Sequence, residues 1–198
     1  LEDGFIYARG SSDDKGPTYA ALFAAKALMD SGLPLRRRVR LVFGCNEESG
    51  FQCVHHYWEV AKEERPVYAF TPDAGFPLIY AEKGITNLVF EKPLPAPGDL
   101  RIDHAGGGRR PNMVPDYAEA TLSGSQEAQL TAIRLLKRFW DKNVTFEVTD
   151  TGITVRAYSK SAHGSTPALG DNAVARLARA LQTLGLPDSE AWLDFVAK

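Results

Sequence analysis

The chain has 198 residues, of which 44% are hydrophobic and 24% charged, so it can form a core and is not expected to be disordered. Its net charge of −2, from 23 basic and 25 acidic residues, argues against a nucleic-acid or anionic-membrane surface as partner. Two cysteines are too few for a disulfide scaffold, which favours a reduced, cytoplasmic protein. No apolar run reaches the roughly 18 residues of a membrane span.

Strands and helices are predicted to alternate in the first part of the chain. Segments rich in β-forming residues predict three strands, at residues 5–8, 39–43 and 67–70. Helices are predicted at residues 17–31, with Pro17 in the first turn, and at residues 51–64. This order predicts a parallel-rich sheet with helices on its faces, and the loops at the carboxyl ends of its strands should gather at one edge.

The composition changes near residue 85, where we place a domain boundary that divides the chain into residues 1–85 and 86–198. A strand is predicted at 86–94, followed by an irregular stretch to residue 115. The elements expected after it are a strand, a helix, two strands and a helix, at 117–124, 125–141, 144–150, 152–160 and 171–185. This order is typical of a ferredoxin-like α+β domain. A last helix is expected to begin at Asp188 or Ser189.

Acidic residues follow all three predicted strands of the first part. They are Asp13, Glu47, Glu48 and Asp73. Carboxylates gathered at one edge would repel one another unless a positive charge lies between them, and the simplest such charge is one or two divalent metal ions. Acidic residues after strands are also common helix N-caps, which need no metal. The residue pattern alone leaves both interpretations open.

Two adjacent glutamates can take different roles in a hydrolytic site. We assign Glu47 as the base that accepts a proton from water and Glu48 as a metal ligand, with Asp13 and Asp73 as further ligands. Asp14 fits better as a charge at the start of the following helix. His163 follows a strand in a loop of small residues and could reach outward, although an ordinary exposed histidine fits equally well. The first part offers no convincing imidazole ligand.

Several motifs together resemble a known family. They are "YARGSSDDKGPT", "GCNEESG", "TPDAGFPLIYAEKG", "RPNMVPDYAEATL" and "KSAHGSTPALGDNA". In combination they are similar to the aminoacylase, carboxypeptidase G and carnosinase family of dinuclear zinc metallopeptidases. The similarity covers nearly the whole chain and is greatest to the bacterial dipeptidase V branch, which cleaves dipeptides with a free amino terminus.

The resemblance implies specific roles for these residues. Asp13 would bridge two zinc ions, for which manganese or cobalt could substitute, and the peptide bond after it would be cis. Glu47 would be the general base, while Glu48 and Asp73 would each bind one ion. His163 would stabilise the oxyanion, and Asn112 would help to bind the dipeptide substrate. Residues 1–85 would be part of the catalytic domain, and residues 86–198 part of the lid, or dimerisation-type, domain.

The chain also departs from the family pattern. The family's upstream H-x-D motif and a later histidine ligand are absent, and family members are more than twice as long. We therefore expect an internal fragment that is inactive by itself, binds zinc weakly and could associate with another chain through its lid or exposed sheet edges. Two alternatives are a deacylase of N-acyl amino acids from the same family and a non-catalytic fragment with a structural or interaction role.

Overall fold

A computed structural model gives the structure of residues 1–73, 75 and 77–198, without the side chain of Ser49. Positions 74 and 76, which the motif at 71–84 crosses, lie outside the described residues. The chain divides into two units, Leu1–Glu82 and Lys83–Lys198. Each unit is described by itself below.

Helices are the regular structure of the first unit. Helix α1 spans Lys15–Asp30 and helix α2 spans Gln52–His55. A turn of π-helix, His56–Val60, continues α2, so the two predicted helices are confirmed, the second in a shorter form. A single 3₁₀ turn, Glu47–Ser49, precedes α2.

The structure does not confirm the three strands predicted for the first unit. Among its described residues no strand is assigned, and the isolated backbone bridge between Glu2 and Phe5 is the nearest approach to one. A parallel sheet forms when each strand has a hydrogen-bonding neighbour and both faces are covered. Here Val67 is 70% exposed and Phe70 is 88% exposed. These apolar segments have no hydrogen-bonded strand neighbour among the described residues.

The second unit contains a four-stranded antiparallel sheet. In chain order its strands are β1 (Arg101–Gly107), β2 (Tyr117–Ser123), β3 (Val144–Thr149) and β4 (Gly152–Tyr158). Their order in the sheet is β1-β2-β4-β3. The predictions of β2, β3 and β4 are confirmed. Strand β1 was predicted to be irregular, and no strand is assigned to residues 86–94, where one was expected.

Strand β1 has little of the alternation that marks a strand. It is polar and glycine-rich, and its register with β2 shifts between Ile102 and His104. It lies at the edge of the sheet, where exposure of both polar and small residues is tolerated. Pairing with β2, which alternates between buried and half-buried residues along its length, explains why this segment becomes a strand.

Three helices complete the second unit. They are α3 (Gln126–Arg138), α4 (Ala173–Gln182) and α5 (Glu190–Val196). Side-chain oxygens cap the N-termini of α3 and α4. The Ser125 hydroxyl accepts from the amide of Ala128 at 3.2 Å, and the Asn172 side chain accepts from the amide of Val174 at 2.9 Å. Ser189 is the N-cap of α5, as predicted. Helix α4 packs against β2 and β4, and α5 packs against α4. The buried side chains of the helices and strands form one core, whose members include Leu122, Ile153, Val155, Leu177 and Leu181.

Within the described part of the chain, no helix has the length and apolar character that crossing a membrane requires.

Candidate active site

The two adjacent glutamates lie in a tight turn. Glu47 and Glu48 form the start of the 3₁₀ turn, and Gly50 ends it in the left-handed conformation at φ 102°. A residue with a side chain is strained in this conformation, so the glycine allows the sharp change of direction that its sequence position predicted. The amide of Phe51 then donates to the carbonyl of Asn46 at 3.1 Å, which closes the loop around both carboxylates.

Partial burial and nearby negative charges raise the pKa of Glu47 above its ordinary value. Partial desolvation is the largest cause, and the negative charges of Glu48, Asp73 and Asp13 follow in that order, with Glu82 last. The structure thus brings the acidic residues of three separate segments within electrostatic range of one carboxylate. Sequence reasoning missed Glu82. It lies in the motif at 71–84, but no local pattern marks it as a member of the acidic site.

This set of donors suits a divalent cation in its chemistry. Carboxylate oxygens bind hard cations, and zinc accepts them as well. The side chains whose charges raise the pKa of Glu47 are four acidic ones, and among the described residues no histidine contributes to that shift. Among those same residues, no three acidic, histidine or cysteine side chains lie close enough to form a metal-binding group. The structure therefore gathers the negative charges but does not bring them to ligand distances.

Asp13 and Asp14 differ in their surroundings. The peptide bond between them is cis, as the family resemblance implied. Asp14 is the N-cap of α1, and its Oδ2 accepts from the hydroxyl of Thr18 at 3.1 Å, in agreement with its predicted place at the helix start. Its other oxygen, Oδ1, is buried without a hydrogen-bond partner among the described residues. A buried acceptor of this kind next to Asp13 lacks a hydrogen-bond donor, and a bound cation would satisfy it.

In the second unit, the loops that carry Asn112 and His163 are joined through their backbones. The amide of Gly164 donates to the carbonyl of Asn112 at 2.6 Å, and that of Val114 donates to Ala162 at 2.8 Å. Met113 and His163 form a β-bridge between these bonds. A Cβ atom added to Gly164 would lie 3.0 Å from the Asn112 carbonyl oxygen. The two residues predicted to bind substrate are thus held on adjacent loops, which we call the paired loops, residues 110–116 and 159–170.

The imidazole of His163 has a defined tautomer. Its Nδ1 lies 2.7 Å from the hydroxyl of Ser165 and accepts from the backbone amide of Ser165 at 3.3 Å. An amide can only donate, so Nδ1 is the acceptor nitrogen, and in the neutral ring the proton is on Nε2. His163 therefore presents a donor at Nε2, and its side chain is exposed.

An arginine fixes the end of the second of the paired loops. Arg176 on α4 donates to the carboxylates of both Asp141 and Asp171, and the amide of Asp171 donates to the carbonyl of Lys160 at 2.8 Å. The hydrogen bond from Arg176 is the main reason that the pKa of Asp171 is lowered. Sequence reasoning missed this group, because Asp141 lies 35 positions from Arg176 in the chain and the pair leaves no local pattern.

Comparison with known proteins gives a consistent family assignment. The sequence profile described as Peptidase family M20/M25/M40 matches residues 1–195. The chain is 39% identical over 193 residues to the Bacillus subtilis protein named "Putative dipeptidase YtjP", covering 96% of this chain and 41% of that protein. It is 38% identical over 205 residues to a Staphylococcus epidermidis protein named "Putative dipeptidase", covering 99% and 42%.

A third relative, "Putative dipeptidase SAB1611c" from Staphylococcus aureus, is 36% identical over 202 residues, with 98% of this chain and 42% of the relative covered. The chain thus spans about two fifths of the length of the curated relatives it matches. The family match extends over both units, and the family predicted from the motifs is confirmed. The chain belongs to peptidase family M20/M25/M40.

Proposed function

We propose that the protein hydrolyses dipeptides with a free amino terminus in a metal-dependent reaction. The observation that carries this proposal is the raised pKa of Glu47, which results from its partial burial and from the acidic residues of three segments around it. A carboxylate with a raised pKa is a better proton acceptor near neutral pH than an ordinary one. The names of the relatives as dipeptidases support the choice of substrate.

Asp13, Glu48 and Asp73 are the residues that would hold the cations, for which we propose two zinc ions. When bound, such ions supply Lewis acidity and positive charge that offsets the carboxylates. Their chemistry would also account for four acidic side chains in one place, which is unfavourable without a counter-charge. The parallel sheet predicted for residues 1–85 belongs to this proposal, because it would gather the ends of the three segments at one edge.

Glu47 carries the proton in the proposed reaction. Its carboxylate accepts a proton from the attacking water as the oxygen bonds to the carbonyl carbon of the scissile peptide bond. The protonated Glu47 then donates to the leaving amine, which departs as the carbon–nitrogen bond breaks. One group thus serves first as base and then as acid, which requires a pKa closer to neutrality than that of an isolated glutamate.

The paired loops are proposed to bind and polarise the substrate. His163 donates from Nε2 to the carbonyl oxygen, on which negative charge develops during the attack. Asn112, held beside it through the backbone hydrogen bond to Gly164, provides amide groups that orient the dipeptide. We propose that residues 83–198 act in this way as a lid domain of the whole protein.

Steady-state hydrolysis by the full-length protein, loaded with zinc, tests this proposal. Glu47→Gln should lower kcat on dipeptides by about 10²–10⁴, whereas Glu91→Gln, another exposed glutamate, should leave it unchanged. His163→Ala should also lower kcat, with His104→Ala as its control. Turnover of N-acyl amino acids in place of dipeptides would show the deacylase instead. If Glu47→Gln keeps kcat within threefold of wild type, the assignment of the base is wrong.

A further inference from the structure

The two cysteines meet next to the acidic turn. The backbone amide of Cys45 donates to the sulfur of Cys53 at 3.3 Å, although eight positions separate them in the chain. The amide of Cys53 donates in turn to the side-chain oxygen of Asn46 at 3.1 Å. The loop before Glu47 is therefore docked on the first turn of α2, with the sulfur of Cys53 at the contact.

Both sulfurs are free thiols with different surroundings. Cys45 is exposed and Cys53 is half-buried. Hydrogen bonds from the amides of Cys45 and Asn46 lower the pKa of the Cys53 thiol. The Cys45 thiol is hydrogen-bonded to Cys53, and this bond is the main reason that its own pKa is raised. The thiolate is the reactive form of cysteine, so Cys53 is the better nucleophile and Cys45 remains a thiol beside it.

We propose that Cys45 and Cys53 are a redox modification site, at which a hydroperoxide converts the two thiols to one reversible intramolecular disulfide. The sulfur of Cys53 attacks the peroxide, its S–O bond forms as the O–O bond breaks, and the peroxide leaves as an alcohol or water. The sulfur of Cys45 then attacks the sulfenic acid of Cys53, and the S–S bond forms as water is released. Two thiols lose two electrons, and one hydroperoxide gains them.

The bond would enclose the acidic turn in a covalent ring. The residues between the two sulfurs include Glu47 and Glu48, so oxidation would restrict the backbone that carries both carboxylates. The docking of the loop already brings the amide of one cysteine to the sulfur of the other, and the two thiols are within hydrogen-bonding range of each other. This inference concerns the thiols and does not depend on the proposed peptidase activity.

Peptide mapping of the native protein after treatment with hydrogen peroxide tests the proposal. Trypsin cleaves after Arg40 and Lys62 and at no position between them, so one peptide contains both cysteines. The proposal expects this peptide to be lighter by two hydrogen atoms and to resist thiol alkylation until dithiothreitol is added. Further cleavage after Glu47 or Glu48 should give two halves that separate only on reduction.

Serine variants identify the order of the two steps. In Cys45→Ser the sulfenic acid of Cys53 should persist and be trapped by dimedone. In Cys53→Ser the remaining thiol should be oxidised at least tenfold more slowly. Equal rates in the two variants would overturn the assignment of Cys53 as the nucleophile. Full alkylation of both cysteines after peroxide treatment of the wild type, or a disulfide only between two chains, would overturn the proposal itself.

Discussion

Replacement of Arg176 by methionine should destabilise the second unit and loosen the second of the paired loops. The arginine side chain is 15% exposed, that of Asp141 is 20% exposed and that of Asp171 is 47% exposed. Removing the cation leaves a largely buried carboxylate at Asp141 without its counter-charge, which is costly, while the half-exposed Asp171 can be hydrated. We expect the free energy of unfolding to fall by about 2–3 kcal/mol, most of it from Asp141.

The loss should depend on pH in a direction set by Asp171. Its folded-state pKa is lowered by Arg176, so the ion pair adds stability above the pKa of the unfolded chain. This stability disappears as the pH falls through the lower, folded-state pKa. The part of the difference between wild type and Arg176→Met that comes from Asp171 should therefore be complete near neutral pH and be lost only as the pH falls below the ordinary aspartate pKa of about 3.9.

Native-state hydrogen exchange of the β4 amides in urea measures this difference within the second unit, because β4 belongs to its core. Arg176→Lys is a useful comparison, because lysine keeps the charge but lacks the planar guanidinium that can donate to two carboxylates at once. This variant should lose less stability than Arg176→Met but should not reach that of wild type. Exchange at the amides of residues 160–166 should accelerate in Arg176→Met. A free energy of unfolding within about 0.5 kcal/mol of wild type would refute the reasoning.

Two further predictions concern stability. Because its pKa is raised in the folded state, Glu47 destabilises the fold as the pH rises through that pKa. Glu47→Gln should therefore raise the free energy of unfolding at pH 7 by up to about 1 kcal/mol and have no effect below about pH 4. Thermal unfolding at both pH values measures this, with Glu91→Gln as the control. Equal shifts of the unfolding curve by Glu47→Gln at the two pH values would contradict the prediction. A Cβ at Gly152 would lie 1.9 Å from the carbonyl oxygen of Leu122, so Gly152→Ala should lower the free energy of unfolding in urea by about 2–3 kcal/mol. Gly84→Ala is the control, because a Cβ there meets no atom within 4 Å, and it should cost little. Equal losses of stability in the two variants would contradict the packing argument.

Elements with a clear hydrophobic period were predictable from the sequence. Strand β2 alternates along its length between buried and half-buried residues, and α4 repeats its apolar residues at helical spacing. In both, local propensity and tertiary packing act in the same direction. The segment at 67–70 shows the opposite case, because its β-forming residues remain exposed. Strand pairing depends on a neighbour, and composition alone does not contain it.

For the candidate site, the sequence carries information where acidic residues are adjacent, as Glu47 and Glu48 are. The grouping of Asp13 and Asp73 with them was predicted from a parallel sheet, and no strand of that sheet is assigned among the described residues of the first unit. The charge of Glu82 near Glu47 and the ion pair of Arg176 with Asp141 join side chains that are far apart in the chain, so the sequence has no local signal for them. The tautomer of His163 likewise follows from one hydrogen bond to Ser165 that only the folded loop contains.

The backbone hydrogen bonds between the paired loops link the positions of Asn112 and His163. Because the amide of Gly164 donates to the carbonyl of Asn112, we expect a displacement of one loop to carry the other with it. In the proposed reaction, a motion of the paired loops that brings the imidazole of His163 to the substrate should also bring the asparagine amide of Asn112. The two side chains are then subject to one conformational equilibrium instead of two, and a substitution that shifts that equilibrium alters both together.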